Sequence, residues 1–172
     1  MELFKEHRLP PKTIILKSGP VDVPKFSWLF QPWRGPMPDY KFGDGNKPVL
    51  EWENTAAYAE LALISILKRH GFTEAIWRDN FGPGYFREEM PPKECDPPEH
   101  IREVYERIVA VNGKPGGCWD VLAWNPKAVM LVECKRKGED DIKSRQIKWL
   151  ESALEAGFSV HNFAICEWTL GS

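Results

Sequence analysis

The chain has 172 residues, 23 basic and 25 acidic side chains, and a formal net charge of −2. That length suits one domain with a real core, and 42% apolar with 28% charged residues is the balance of an ordinary globular protein rather than a disordered one. The near-neutral charge excludes a protein that coats nucleic acid through bulk positive charge, though not one with a local basic groove.

Residues 1–50 hold eight of the fifteen prolines, interleaved with Phe26, Trp28, Phe30, Trp33, Tyr40 and Phe42. Proline lacks a donor and blocks helices. The reading is an irregular Pro/Trp-rich N-terminal arm with one strand at 13–16, its aromatics pinning it onto the core. No run of about 18 apolar residues predicts a membrane span. The first residues lack the basic and apolar segments of a signal peptide. The four cysteines (95, 118, 134 and 166) contain no CxxC pair, which argues against structural zinc and for free thiols in a reducing, cytoplasmic setting.

A helix is predicted over 55–70, with Asn54 or Thr55 as its cap and Gly71 after its end. Ala56, Ala59, Leu63, Ile64 and Leu67 recur at helical spacing. Glu60 interrupts that apolar series and needs a partner, either an ion pair with an arginine such as Arg78 or a functional one. Short strands follow at 73–78 and 84–87, then a proline-rich loop over 88–98 and an amphipathic helix over 99–111. From 88 to 107 there are seven acidic and three basic residues, so this stretch suits solvent or a partner rather than a phosphate backbone.

The last third reads as a strand over 118–124, a turn at 125–127, a strand over 128–135, a helix over 141–156 and a strand over 158–168. The 128–135 strand is apolar on both faces, as a doubly covered strand is, and ends in Glu133 and Lys135. Period 2 puts those two charges on one face. Asp120 lies in the preceding strand. A four-residue turn at 125–128 sets Asp120 opposite Glu133, about 5 Å apart at Cβ. A three-residue loop without a bulge sets them on opposite faces. Two adjacent carboxylates repel unless a cation lies between them, and such oxygen donors suit Mg²⁺. The alternative is a buried salt-bridge cluster. Gln146 falls on the apolar stripe of Ile142, Trp149, Leu150 and Ala153 and should point inward, either to backbone or toward the site.

Glu60 on a helix, Asp120 on a strand, Glu133 and Lys135 as Glu-x-Lys on the next strand and Gln146 on a helix resemble the PD-(D/E)XK nuclease superfamily. Gly116 through Asp120, Leu131 through Lys135, Ser144 through Leu150, and Ala156 with Gly157 resemble its VRR-type branch. Trp119 departs from the superfamily's name pattern, which has proline there. The resemblance covers 116–166 and, with the first helix, the whole core motif. It implies an α/β fold with a restriction-endonuclease-like αβββαβ core, a mixed central sheet flanked by helices on both faces. Residues 51–170 would form this domain, with an insertion at about 80–115.

The resemblance further implies hydrolysis of nucleic-acid phosphodiesters, with DNA the expected polymer and structure selectivity open. Asp120, Glu133 and the Cys134 carbonyl would hold Mg²⁺ or Mn²⁺. Lys135 would contact the attacking water and the phosphate, Gln146 would orient Lys135 or a water, and Glu60 would serve a water on the metal or a second ion. Lys143, Arg145, Arg136 and Lys137 are the expected phosphate contacts. The arm, at net +3 over residues 1–50, could extend that surface. A homodimer would let two sites cut both strands. The competing reading is a non-catalytic nucleic-acid- or protein-binding module that keeps the nuclease fold.

Overall fold

The computed structural model describes residues 4–38, 47–80, 85–87 and 93–172. Through them the chain runs β1 (Arg8–Leu16), β2 (Gly19–Pro32), β3 (Leu50–Trp52), β4 (Thr55–Ala57), α1 (Ala59–Arg69), β5 (Glu74–Asp79), β6 (Tyr85–Arg87), α2 (Glu99–Asn112), β7 (Val121–Asn125), β8 (Ala128–Arg136), α3 (Ser144–Glu155) and β9 (Phe163–Leu170). The strands form one mixed sheet in the order β4-β3-β2-β9-β8-β7-β5-β6, with β1 paired to β2. The β2–β9 and β8–β9 pairs are parallel; the other ladders are antiparallel. No described helix is long and apolar enough to cross a membrane.

Alternation along the central strands builds two cores. Ala75, Trp77, Val121, Ala123, Met130 and Val132 face α1, with Leu63 and Leu67 among its buried residues. Ile76, Leu122 and Leu131 face the other way, onto Ile101 and Ile108 of α2 and Trp149, Leu150 and Ala153 of α3. Leu131 and Val132 are both fully buried, on opposite faces of β8. Each such side chain contributes about 1.5–3 kcal/mol of burial. With both faces covered, the polar ends of β7 and β8 are the place where charged side chains can collect.

Two expectations need correction. Among the described residues of 1–50, residues 8–32 are not irregular: they form a long hairpin, and β2 lies inside the sheet beside β9. Three of the five prolines in β1 and β2 are accommodated because the β1–β2 register breaks between Leu9 and Lys12, skipping Pro10, Pro11 and Pro24, and a bulge is where a strand tolerates a missing donor; Pro20 and Pro32 sit near the two ends of β2, opposite Ile15 and Leu50. Phe26 and Phe30 are buried in the core and Trp28 packs against it; Tyr40 and Phe42 lie outside the described residues.

The helix predicted from 55 starts instead at Ala59. Glu53 and Asn54 take positive φ (53° and 63°) in the two-residue turn of the β3–β4 hairpin, whose ladder pairs Trp52 with Thr55. Asn favours such turns, so Asn54 closes a hairpin rather than capping a helix. The far end agrees with the sequence, since His70 follows the last turn and Gly71 has φ 98°. Of the 84–87 and 88–98 readings, Gly84 and residues 88–92 lie outside the described residues.

Candidate active site

Asn125 sets the geometry of the site. Its Oδ1 accepts hydrogen bonds from the backbone of Lys127 and Ala128, both at 2.9 Å, and closes a tight turn at 125–128. The ladder above it pairs Asn125 with Ala128 and continues to Val121 with Val132. One step further in that register, Asp120 comes out beside Glu133. The loop leading to Asp120 is held against α3. Gly117 has φ 95°, and a Cβ there would collide with the Arg145 carbonyl, so only glycine allows the approach. Trp119, fully buried, donates Nε1–H to the Gln146 carbonyl at 3.2 Å.

Asp120 Oδ2 accepts from the Cys134 backbone N–H at 2.9 Å. Burial, and then the Glu60 charge, raise its carboxyl from 3.8 to about 6 against the opposing pull of Lys47, the Cys134 amide and Lys135. Glu133 is 1% exposed. Burial first, then Asp120 within hydrogen-bonding reach, hold its carboxyl well above the usual range, with Lys135 acting the other way. Glu133 Oε1 receives Lys135 Nζ at 3.0 Å and the Gln146 side-chain amide. Its Oε2 is buried and accepts no hydrogen bond.

Lys135 also reaches Asp140 Oδ2 at 3.3 Å. Burial works to lower its pKa, but Glu133, Asp120 and Asp140 outweigh it, so the pKa is raised and the ammonium stays charged. Gln146 spans two elements, since its Oε1 accepts from the Lys143 backbone at the start of α3 at 2.8 Å while its amide serves Glu133. Sequence spacing gave Gln146 an inward direction; its partner is Glu133 rather than Lys135 directly.

Glu60, in the first turn of α1 and 8% exposed, pairs with Lys47. The Arg78 partner considered from sequence is elsewhere engaged, with the Asp79 carbonyl and the Tyr105 hydroxyl, each at 3.0 Å. Lys47 was not anticipated. Its ammonium lies 4.7 Å from the Trp77 ring centroid and 6.0 Å from that of Tyr58. Nothing in spacing or hydropathy separates Lys47 from the seven other basic residues of 1–50.

Of the expected phosphate contacts, Lys137 and Arg145 are exposed. Lys143 is also exposed and reaches Asp140 at 3.2 Å. Arg136 is half-buried, bound to Glu139 at 2.7 Å and set 5.7 Å from the Trp168 ring centroid.

Among the described residues, no three His, Cys, Asp or Glu side chains converge as a metal cluster. The donor set that does converge is a pair of carboxylates, Asp120 and Glu133, one of which carries an oxygen without any donor. This fits a hard divalent ion that takes one or two protein carboxylates and completes its shell with water and substrate oxygens. No protein-family model and no curated protein sequence matches the chain.

Proposed function

We propose that this chain is a metal-dependent nuclease of the PD-(D/E)XK superfamily, VRR-type branch, hydrolysing phosphodiester bonds, with DNA the favoured polymer. One observation carries the reading. Asp120 and Glu133 leave the β7–β8 ladder as neighbouring carboxylates with the Lys135 ammonium 3.0 Å from Glu133. The order α1, β5, β7, β8, α3, β9 supports the restriction-endonuclease-like core, with β6 and α2 inserted between its first two strands.

In this reading Asp120 and Glu133, with the Cys134 carbonyl, hold Mg²⁺ or Mn²⁺. Such an ion, when bound, lowers the pKa of a water and neutralises charge developing on the phosphate. Lys135 presents a fixed cation to the same phosphate, in a partly desolvated site where it acts more strongly than in water. Gln146 and Lys135 share one oxygen of Glu133, which fixes the direction of the other oxygen. Lys137 and Arg145, exposed beside the site, would take flanking phosphates. Two copies of the chain would be needed to cut both strands together.

The test is cleavage of supercoiled plasmid, single-stranded and branched DNA with Mg²⁺ or Mn²⁺. Wild type should cut, while Asp120→Asn and Lys135→Ala should not. Cleavage that persists in both variants would sink the assignment. DNA binding without cleavage under any metal would favour a non-catalytic binding module.

A further inference from the structure

The Lys47 ammonium lies over Trp77, whose ladder partner Val121 adjoins Asp120, and the sequence motif does not account for it. It is paired with Glu60 and acts on Asp120, whose charge is among the groups that hold Lys47 protonated against burial. Trp77 and Tyr58 face it at 4.7 and 6.0 Å. Aromatic faces stabilise a cation, so the position is built for positive charge. Glu60 and Asp120 are like charges close enough to act on each other. A cation between them relieves their repulsion.

We infer that Lys47 is the site's resident counter-cation: it occupies the Glu60 side of the acidic cluster where a second divalent ion would otherwise bind, so that the chain takes up a single ion, at Asp120 and Glu133. The inference rests on the nuclease reading for the ion at Asp120 and Glu133, and it assigns Lys47 a positioning role there. Glu60 then serves the site through Lys47, neutralised and held at the start of α1, rather than as a metal ligand.

The experiment is a count of bound Mn²⁺ on the full chain at pH 8 by equilibrium dialysis, with electron paramagnetic resonance to detect a coupled ion pair. Wild type should bind one ion. Lys47→Met, similar in length but uncharged, should bind two and show coupling. Lys47→Arg, which keeps the charge, should bind one. Lys47→Met with Glu60→Gln should return to one, locating the second ion at Glu60. Two ions on wild type overturn the inference. A folded Lys47→Met that still binds one also overturns it, and leaves the nuclease reading standing. No ion on wild type or any variant overturns both. Should Lys47→Met fail to fold, the wild-type count decides alone, one supporting and two overturning.

Discussion

The Lys135 ammonium lies 3.0 Å from Glu133 Oε1, two residues away on the same face of β8, and both side chains are buried. Removing one partner of such a pair leaves an uncompensated charge, at a cost of about 3–5 kcal/mol. Lys135→Ala is therefore expected to lose DNA cleavage by at least about 10²-fold and to lower stability by that few kcal/mol. Glu133→Gln combined with Lys135→Met should regain most of the stability and none of the activity. Urea denaturation of Glu133→Gln, Lys135→Met and the double variant gives the coupling directly.

The Asp120 carboxyl gives a pH dependence of defined sign. Its ordinary value is 3.8 and the fold raises it to about 6. Between those values the folded state holds a proton that the unfolded state has lost. The contribution to stability is full below about pH 4, falls as pH rises, and is gone above about pH 6. Its size is about 1–3 kcal/mol. Thermal melts of metal-free wild type against Asp120→Asn should show the variant gaining on wild type across this window. Mn²⁺ should act in the opposite direction, raising the melting temperature of wild type more at pH 8 than at pH 5, because the ligands must be deprotonated.

Phosphate contact is expected from Lys137 and Arg145, both exposed. Lys137→Ala and Arg145→Ala should each reduce the slope of log affinity against log salt by about 1. Arg136→Ala and Lys143→Ala should have smaller effects, since Glu139 and Asp140 already engage those cations. Fluorescence anisotropy on DNA with the Asp120→Asn protein, over a series of salt concentrations, separates the four.

The loop before Asp120 depends on a close approach. Gly117→Ala puts a Cβ against the Arg145 carbonyl at a residue with φ 95°. The expected loss of stability is about 1–3 kcal/mol. Activity should fall with it, because the displaced helix carries Gln146. Trp119→Phe removes the hydrogen bond to the Gln146 carbonyl and leaves a cavity where the second ring of the fully buried indole sat; it should cost about 2–3 kcal/mol. Circular dichroism melts together with the plasmid assay test both.

The last third of the chain was legible because its signals are local. Asn125, Pro126 and Lys127 announce a turn, and the strands on either side carry unbroken apolar runs; the turn left two registers open, and the fold takes the one that pairs Asn125 with Ala128. Gln146 stood out as the polar residue on an apolar stripe. The first fifty residues misled for the opposite reason. Their prolines argue against a strand at each position taken alone, and only the β1–β2 bulge and the parallel partner β9 make β2 favourable. Asn54 has two uses, helix cap and hairpin turn, and the choice was made by β3 and β4 finding each other. Lys47 carried no signal, since its partners Glu60 and Trp77 lie 13 and 30 residues away in sequence.

The most direct test of the site is a crystal grown or soaked with Mn²⁺ and measured at a wavelength where manganese scatters anomalously. A peak within bonding distance of one Asp120 oxygen and of Glu133 Oε2 is the predicted result. A protein that yields no peak there, with the Asp120 and Glu133 side chains turned to opposite surfaces of the sheet, would contradict it.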